Sequence, residues 1–267
     1  LRRACPACFA LDAWGRDAKR QPDIIVCTDG NRQLRRFRGR SEGAPFYQAE
    51  LFLSVEEVDA VGEKMASQRT SRSDVEVPGK LSEEARERCK KSFKVADEQA
   101  EIVDGHLFDP TGLMVLLCRH DVPLFACDIT TPGEQQKYVV ALLKALLREL
   151  PMHATVGLLY DIGCQLDHSC MKVSTGCQAL MHDPLISSGR KYGYLEDHFG
   201  RISMGCSVMH AYGHEWACQV VYHPRRREGF GLSDGEGSEQ VWSRIRREIP
   251  ILRRADVRPI VALFLPR

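Results

Sequence analysis

Four short apolar runs along the chain predict buried strands. They cover residues 23–29, 113–118, 123–129 and 155–160. Continuous apolar runs of this length are typical of strands that are buried on both faces. Only residues 119–122 separate the second run from the third, which predicts a hairpin. The first run ends in an acid, and an acid directly follows the fourth.

A helical period follows the predicted hairpin. Thr131-Pro132-Gly133-Glu134 is typical of a helix start with proline at the first helical position. Apolar residues then recur on one helical face, at Val139, Leu143, Leu146, Leu147 and Leu150. A hairpin, a helix and a returning strand in this order predict a mixed α/β sheet with helices packed against it.

Residues 41–112 interrupt the strand pattern. Ser54 and Glu57 form a capping box, and Ser82 precedes a charged run, so this segment predicts a mostly helical insertion after the first strand. The predicted parts of the chain are an N-terminal zinc-knuckle-like segment at 1–22, a core at 23–40 and 113–250, the insertion at 41–112, and a C-terminal segment at 251–267.

The overall charge is balanced. Of 267 residues, 37 are Lys or Arg and 36 are Asp or Glu, so the basic footprint of many nucleic-acid-binding domains is absent. Any affinity for DNA would have to come from local patches. No apolar run reaches the roughly 18 residues that a membrane span needs, so no membrane partner is expected.

Eleven cysteines occur in a chain whose start, Leu1-Arg2-Arg3, is neither a methionine nor a signal peptide. This start is typical of a piece of a longer chain. Cysteines without a secretory signal favour a reducing, intracellular location, with thiols that are free or bound to metal.

Three acids form the candidate catalytic group. Asp29 and Asp161 stand at the carboxyl ends of predicted strands, where sites of open α/β sheets gather. Glu236 lies in a glycine-rich loop before a predicted helix, and Glu239 and Asp234 are its rivals. Converging carboxylates suit a pair of Mg²⁺ or Mn²⁺ ions. The alternative is that Asp29 and Glu236 are ordinary turn residues beside glycine.

A zinc site is predicted in the second half of the chain. His210, His214 and Cys218 recur every four residues, and His223 follows. On a helix the first three share one face, and His223 would complete a closed, structural Zn²⁺ site. The alternative is a core helix in which the histidines form local hydrogen bonds and Cys218 packs as a small hydrophobe.

A second zinc site is predicted from Cys5-x-x-Cys8, which has the spacing of half a zinc knuckle. Cys118 and His120, near the predicted hairpin turn, could complete it, and residues upstream of this piece are the alternative. Three further cysteines with less regular spacing are candidate ligands: Cys164, Cys170 and Cys177. Structural zinc would stabilise the loop-rich C-terminal part.

Arginines cluster on either side of the candidate acids. Guanidinium groups pair well with DNA phosphates, and solvated surface charge is the alternative. The candidate nucleic-acid-binding residues are Arg32, Arg35, Arg36, Arg225, Arg226 and Arg227.

Several short motifs occur in a fixed order. They are Cys5-Pro6-Ala7-Cys8-Phe9, Asp29-Gly30-Asn31, Cys118-Arg119-His120, Gly133-Glu134, Tyr160-Asp161-Ile162-Gly163-Cys164, His210-x-x-x-His214-x-x-x-Cys218-Gln219, Tyr222-His223-Pro224 and the run from Gly231 to Ser243. This set, from about residue 5 to residue 243, resembles the Kyakuja-Dileera-Zisupton (KDZ) transposases, a family abundant in fungi. The family commonly has an arginine after the acid at Glu239, where this chain has Gln240.

The resemblance implies a ribonuclease-H-like fold with a DDE active site. In it Asp29 ends the first strand, Asp161 ends the fourth, and Glu236 lies at the start of a late helix. It further implies Mg²⁺ or Mn²⁺ as the catalytic metal, transposon ends and target DNA as partners, and a nuclear location. Homo-oligomerisation stays open.

The leading hypothesis is a DNA transposase core. Water hydrolyses one DNA strand, and the freed 3′-hydroxyl then attacks target DNA by in-line displacement. The alternative is a catalytically inactive, domesticated copy that binds DNA or a protein through a zinc-stabilised scaffold. Gln240 and the fragmentary ends of the chain favour this alternative.

Overall fold

A five-stranded mixed sheet lies at the centre of the protein. The computed structural model describes residues 1–38, 51–70, 80–92, 107–170 and 195–254. The strands are β1 (Ile24–Asn31), β2 (Gly112–Cys118), β3 (Pro123–Ile129), β4 (Val156–Tyr160) and β5 (Ile202–Gly205). Their order is β3-β2-β1-β4-β5. Strands β1, β4 and β5 are parallel, and β2 is antiparallel to both of its neighbours. The predicted mixed α/β architecture is confirmed.

Two details of the sheet differ from the sequence prediction. Strand β1 continues to Asn31, so Asp29 lies two residues before its end. Strand β5 was not expected, because four residues are too few to stand out from the loop-rich sequence around them. Its pairing with β4 is what adds it to the sheet.

Helices cover both faces of this sheet. They are α1 (Pro6–Phe9), α2 (Val55–Thr70), α3 (Glu83–Ser92), α4 (Gln136–Glu149), α5 (described over 163–170), α6 (Val208–Ala211), α7 (Trp216–Tyr222), α8 (Gly237–Ile245) and α9 (Ile249–Leu252). Among the described residues, no helix combines the length and apolar character needed to cross a membrane.

Side chains of β1 and β4 alternate between the two faces of the sheet, and a different helix covers each face. Val26 and Leu158 belong to the core that α4 covers. Ile25, Cys27 and Leu159 belong to the opposite core, which includes Val241 and Trp242 of α8. Because side chains alternate between faces along a strand, the next odd-numbered positions continue the α8 face.

Helix α4 begins later than the sequence predicts. Its first residue is Gln136, so Pro132 and Glu134 lie in the loop before the helix. The backbone N–H groups of Thr130 and Thr131 donate to the Tyr138 hydroxyl at 2.9 and 3.0 Å, which ties this loop to the first turn. The helix itself forms because its apolar stripe is buried on the sheet and against α2.

Helices α2 and α3 lie between β1 and β2, in the segment predicted to be a helical insertion. Lys137 of α4 pairs with Asp59 of α2 at 2.6 Å, whereas α3 contacts α7. Residues 41–50, 71–79 and 93–106 of the predicted insertion lie outside the described residues, as do residues 255–267 of the predicted C-terminal segment.

Candidate functional site

Asp29 and Asp161 occupy matching positions on neighbouring parallel strands. Thr28 of β1 pairs with Tyr160 of β4, and each acid is the next residue along its chain. Each acid continues the odd-numbered series of its chain, whose earlier members Cys27 and Leu159 lie in the core with α8. The sheet therefore brings the two acids, 132 positions apart in the sequence, to one edge and one face.

Asp161 is held by two side chains and through its backbone. Ser207 Oγ donates to Asp161 Oδ1 at 2.8 Å. His210 Nδ1 lies 3.1 Å from the same oxygen, and His214 Nε2 lies 2.8 Å from the Asp161 carbonyl oxygen. The pKa of Asp161 is raised to about 8, mainly by burial and next by the charge of Asp29, and the Ser207 hydrogen bond opposes this increase.

Asp29 is held by a tryptophan. Trp242 Nε1 of α8 donates to Asp29 Oδ2 at 2.9 Å. The pKa of Asp29 is raised to about 6, mainly by burial; the Trp242 hydrogen bond opposes this increase, and the nearby charge of Glu239 adds to it. Helix α8 therefore positions one of the two strand acids directly.

Glu236 lies at the N-cap position of α8. Its Oε1 accepts from the backbone N–H of Met209 at 2.7 Å, which fixes the carboxyl group against α6. Its charge raises the pKa of Asp161, which places the two carboxylates within electrostatic reach. Gly235 precedes it with φ +80, where a Cβ would lie 2.8 Å from Leu159 Cβ, so glycine permits this close turn.

The rivals of Glu236 have different surroundings. Asp234 Oδ1 accepts from the backbone N–H of Glu236 at 3.1 Å and so stabilises the turn. Glu239 lies one turn into α8, and its charge acts on Asp29 and on Glu236. Glu236 and Glu239 therefore both face the acid pair, while Asp234 supports the loop that carries Glu236.

A fourth carboxylate, Glu134, also reaches this edge of the sheet, and no role was predicted for it. It is half-buried, and a Cβ on Gly30 would lie 2.9 Å from its carboxyl group. The pKa of Glu134 is raised to about 8, mainly by loss of solvation and next by the charge of Asp29. Tyr160 Oη donates to Glu134 Oε1 at 3.4 Å. In the sequence it was marked by the Gly133-Glu134 motif and by its place before the predicted helix.

An open cleft of about 660 Å³ borders the acids. Its lining residues are Met209, His210, Glu236, Glu239, Gln240, Ser243 and Arg244. The acidic edge is thus accessible from solvent through the groove between α6 and α8. Across the described residues, only two cysteine–histidine groups bring three or more ligand atoms within 4.8 Å of one another, so the carboxylates are spaced more widely than those groups.

The first of these groups joins the N-terminal segment to the β2–β3 hairpin. It consists of Cys5, Cys8, Cys118 and His120, the four residues predicted together from the sequence. His120 Nδ1 lies 3.5 Å from Cys5 Sγ and 3.2 Å from Cys8 Sγ. Three buried thiols and an imidazole so close together could hold a structural metal such as zinc.

The second group differs from the predicted ligand set. His214 and Cys218 are joined by Cys89 of α3 and Cys164 of α5, and all four ligand atoms lie within 4.8 Å of one another. Cys170 lies outside both groups, and Cys177 is outside the described residues. This buried group could also hold a structural metal.

His210 and His223, predicted as ligands with His214 and Cys218, are placed elsewhere. The chain turns between α6 and α7, so His210, His214 and Cys218 do not share the face of one continuous helix. His210 contacts Asp161 instead. His223 Nδ1 accepts from the backbone N–H of Arg225 at 3.2 Å and caps the turn that follows α7.

The candidate DNA-binding arginines divide into exposed and internal residues. Arg32, Arg225 and Arg226 are exposed. Arg36 is not a surface residue as predicted: it is 7% exposed and pairs with Asp128 at 2.5 Å. Two others are partly buried and form internal contacts: Arg35 lies over the Phe108 ring, and Arg227 donates to Ser203 Oγ. Arg244 lines the acidic cleft.

Comparison with known families agrees with the motif order. The family model described as Kyakuja-Dileera-Zisupton transposase matches residues 22–259, which is most of the chain. Neither the comparison with curated proteins nor that with solved structures gives a match. The matched segment contains the acidic edge and all of its supporting residues. The chain therefore belongs to the KDZ transposase family.

Proposed function

We propose that this chain is the catalytic core of a DNA transposase that cleaves a DNA strand and joins its 3′ end to target DNA. Asp29, Asp161 and Glu236 are the proposed DDE residues. The observation that carries the proposal is the matched placement of Asp29 and Asp161 on adjacent parallel strands, facing the start of α8 and Glu236.

The donor set fits hard divalent cations. The groups at this edge are carboxylates, and Mg²⁺ and Mn²⁺ prefer oxygen ligands. Burial and mutual repulsion raise the pKa values of Asp161 and Glu134 to about 8, and a bound cation would relieve this repulsion. When bound, a pair of such ions supplies Lewis-acid activation of the attacking oxygen and stabilisation of the leaving oxygen.

The residues around the acids hold them in place for this task. Trp242 orients Asp29, and Ser207 with His210 orients Asp161. The cleft beside Glu236 would receive the DNA strand, and Arg244 and Arg32 would contact its phosphates. In strand transfer, the 3′-hydroxyl oxygen bonds to a target phosphorus, and the target's own 3′-oxygen leaves.

The strand order and directions support a ribonuclease-H-like fold, with α2 and α3 in an insertion after β1. We propose transposon ends and target DNA as the partners, in a nuclear setting. Zinc is the metal proposed for the first cysteine–histidine group, where it would fasten the N-terminal segment to the hairpin.

The test compares the wild-type chain with Asp29→Asn and Asp161→Asn. We expect Mn²⁺ binding and Mn²⁺-dependent nicking of transposon-end DNA by the wild type, and loss of both in each variant. Zinc content and the circular dichroism spectrum should stay unchanged and so serve as controls. Equal nicking by wild type and variants would refute the assignment.

A non-catalytic scaffold is the second candidate, and Gln240 favours it. This residue lines the cleft at the position where the family commonly has arginine. Calorimetric titration with Mn²⁺ separates the two functions. Absence of Mn²⁺ binding at the acids, with zinc still present, would favour the scaffold.

A further inference from the structure

The second cysteine–histidine group has the dimensions of a zinc site. His214 Nδ1 lies 3.0 Å from Cys89 Sγ, 3.5 Å from Cys164 Sγ and 3.4 Å from Cys218 Sγ. Around a tetrahedral zinc ion, with Zn–S near 2.3 Å and Zn–N near 2.0 Å, sulfur and nitrogen lie about 3.5 Å apart. All four residues are buried, so the group would be closed to substrate.

The second nitrogen of His214 fixes how the ring is protonated. His214 Nε2 lies 2.8 Å from the carbonyl oxygen of Asp161. A carbonyl oxygen can only accept, so Nε2 carries the proton of this hydrogen bond. The lone pair of Nδ1 then points at the three thiols, which is how a histidine ligand is oriented in metal sites.

The group also joins two distant parts of the chain. Cys89 belongs to α3, whereas the other three residues belong to the segments around Asp161 and the acidic cleft. Two ion pairs run beside it: Arg88 with Glu215 at 3.2 Å, and Lys80 with the buried Asp167 at 2.6 Å. Helix α3 is thus fastened to the core at several points.

We propose that Cys89, Cys164, His214 and Cys218 bind one zinc ion, and that His214 acts as a positioning residue for Asp161. The ion fixes the His214 ring, and its Nε2–H then holds the backbone of Asp161 in place. The same ion clamps α3 onto the core, so loss of the inserted helix would disturb the acid. The positioning role rests on the proposed function of Asp161, whereas the zinc site does not.

Zinc content of purified variants tests the ligand set. Cys89→Ser should lower zinc by about one equivalent per chain relative to the wild type, measured by inductively coupled plasma mass spectrometry. Cys127→Ser is the matched control, because Cys127 of β3 is also buried but lies outside both cysteine–histidine groups. Unchanged zinc in Cys89→Ser, or an equal loss of zinc in Cys127→Ser, would overturn the ligand set.

A measurement on the wild type covers the case in which Cys89→Ser does not fold. Long-range ¹H–¹⁵N NMR should show His214 protonated at Nε2, with an Nδ1 shift typical of a metal-bound nitrogen that is lost on zinc removal. A proton on Nδ1 in the zinc-loaded chain would contradict the proposal.

His214→Cys tests the positioning role. This variant offers four thiolates, so it should retain zinc, but it loses the donor to the Asp161 carbonyl. We expect Mn²⁺ affinity at the acidic edge to fall about 10- to 100-fold, as is usual for lost supporting contacts. Unchanged Mn²⁺ affinity would refute positioning. If even the wild type does not bind Mn²⁺, the proposed function fails. The zinc measurements still decide whether the second cysteine–histidine group binds zinc.

Discussion

The two ends of the β1–β4 strand pair hold their acids in opposite ways. At the amino end, Asp23 is buried and accepts hydrogen bonds from the backbone N–H groups of Gly15 and Thr155 at 2.8 Å and from Arg16 Nε at 3.0 Å. Burial alone would raise the pKa of Asp23, but these donors outweigh it, so the pKa lies below its ordinary value. At the carboxyl end, burial and neighbouring carboxylates raise the pKa of Asp29 and Asp161.

The difference separates an acid whose charge the protein itself satisfies from acids that repel one another at a cleft, where we propose that a cation binds. Asp23 has donors for both oxygens, so its charge is satisfied by the protein itself. Asp161 accepts from Ser207 but also faces the charges of Asp29, Glu134 and Glu236. Crowded carboxylates at a cleft are typical of functional sites, because a bound ligand can relieve the repulsion between their charges.

The largest expected effect concerns the third acid. Glu236→Gln removes the carboxylate nearest the start of α8 and should lower Mn²⁺-dependent strand cleavage by roughly 100- to 1000-fold, beyond the 10- to 100-fold loss that supporting residues give. Glu239→Gln, one turn further along α8, should cost less than about 10-fold. Cleavage assays on the same DNA would rank them, and the reverse ranking would assign the third acid to Glu239.

The next prediction addresses the amino end of the strand pair. Asp23→Asn removes charge-assisted hydrogen bonds from a buried site and should lower the free energy of unfolding by about 2 kcal/mol at pH 7. Because the folded pKa is depressed, this contribution is complete above the unfolded pKa near 4 and is lost as pH falls through the folded pKa. Urea unfolding of the wild type and of Asp23→Asn at pH 7 and pH 3 measures the difference between their free energies of unfolding. This difference should be smaller at pH 3.

Asp161→Asn is the companion substitution, and the comparison predicts a different outcome. Neutralising a crowded carboxylate should not lower the stability of the metal-free chain at pH 7. Added Mn²⁺ should raise the melting temperature of the wild type but not of this variant. Equal destabilisation by Asp23→Asn and Asp161→Asn would remove the distinction between the two ends.

A smaller effect is expected from the tryptophan that holds Asp29. Trp242→Phe keeps an aromatic ring in the core but loses the N–H donor to Asp29. Mn²⁺-dependent cleavage should fall about 10-fold, since one supporting hydrogen bond is lost. Trp216→Phe is the matched control because Trp216 is 64% exposed. An equal loss in both variants would indicate a general effect on folding.

The smallest effect concerns an exposed arginine near the acids. Arg32→Ala should remove about one phosphate contact and reduce the slope of log affinity against log salt by about 0.9. Gln33→Ala, the exposed and uncharged neighbour, should leave this slope unchanged. Fluorescence anisotropy with labelled DNA across a salt series measures both, and an unchanged slope for Arg32→Ala would place DNA elsewhere on the surface.

The strands were predictable because their signal is local. Continuous apolar runs marked β1 to β4, and the acid directly after β4 could be read from the order of residues, whereas β1 runs two residues past Asp29. The four-residue strand β5 could not, because its hydrogen bonds to β4 come from tertiary pairing. The spacing of Cys5 and Cys8 marked half of the first cysteine–histidine group for the same local reason.

The second cysteine–histidine group could not be predicted from local spacing. The regular spacing of His210, His214 and Cys218 suggested one helix, but the chain turns between α6 and α7 and sends His210 to Asp161. The two remaining ligands come from far away: Cys89 is 125 positions from His214, and Cys164 is 50. Likewise, nothing in the sequence around Arg36 indicated that this side chain would be buried and paired with Asp128.

The sequence alone determined the family motifs, the four main strands and the order of the candidate acids, because apolar periods and short motifs act over neighbouring residues. The tertiary structure decided which acids share a face, which cysteines and histidines share a cluster, and which arginines stay exposed. Those outcomes depend on segments distant in sequence packing together, and the buried sheet, rather than any local pattern, sets the distances at which their side chains meet.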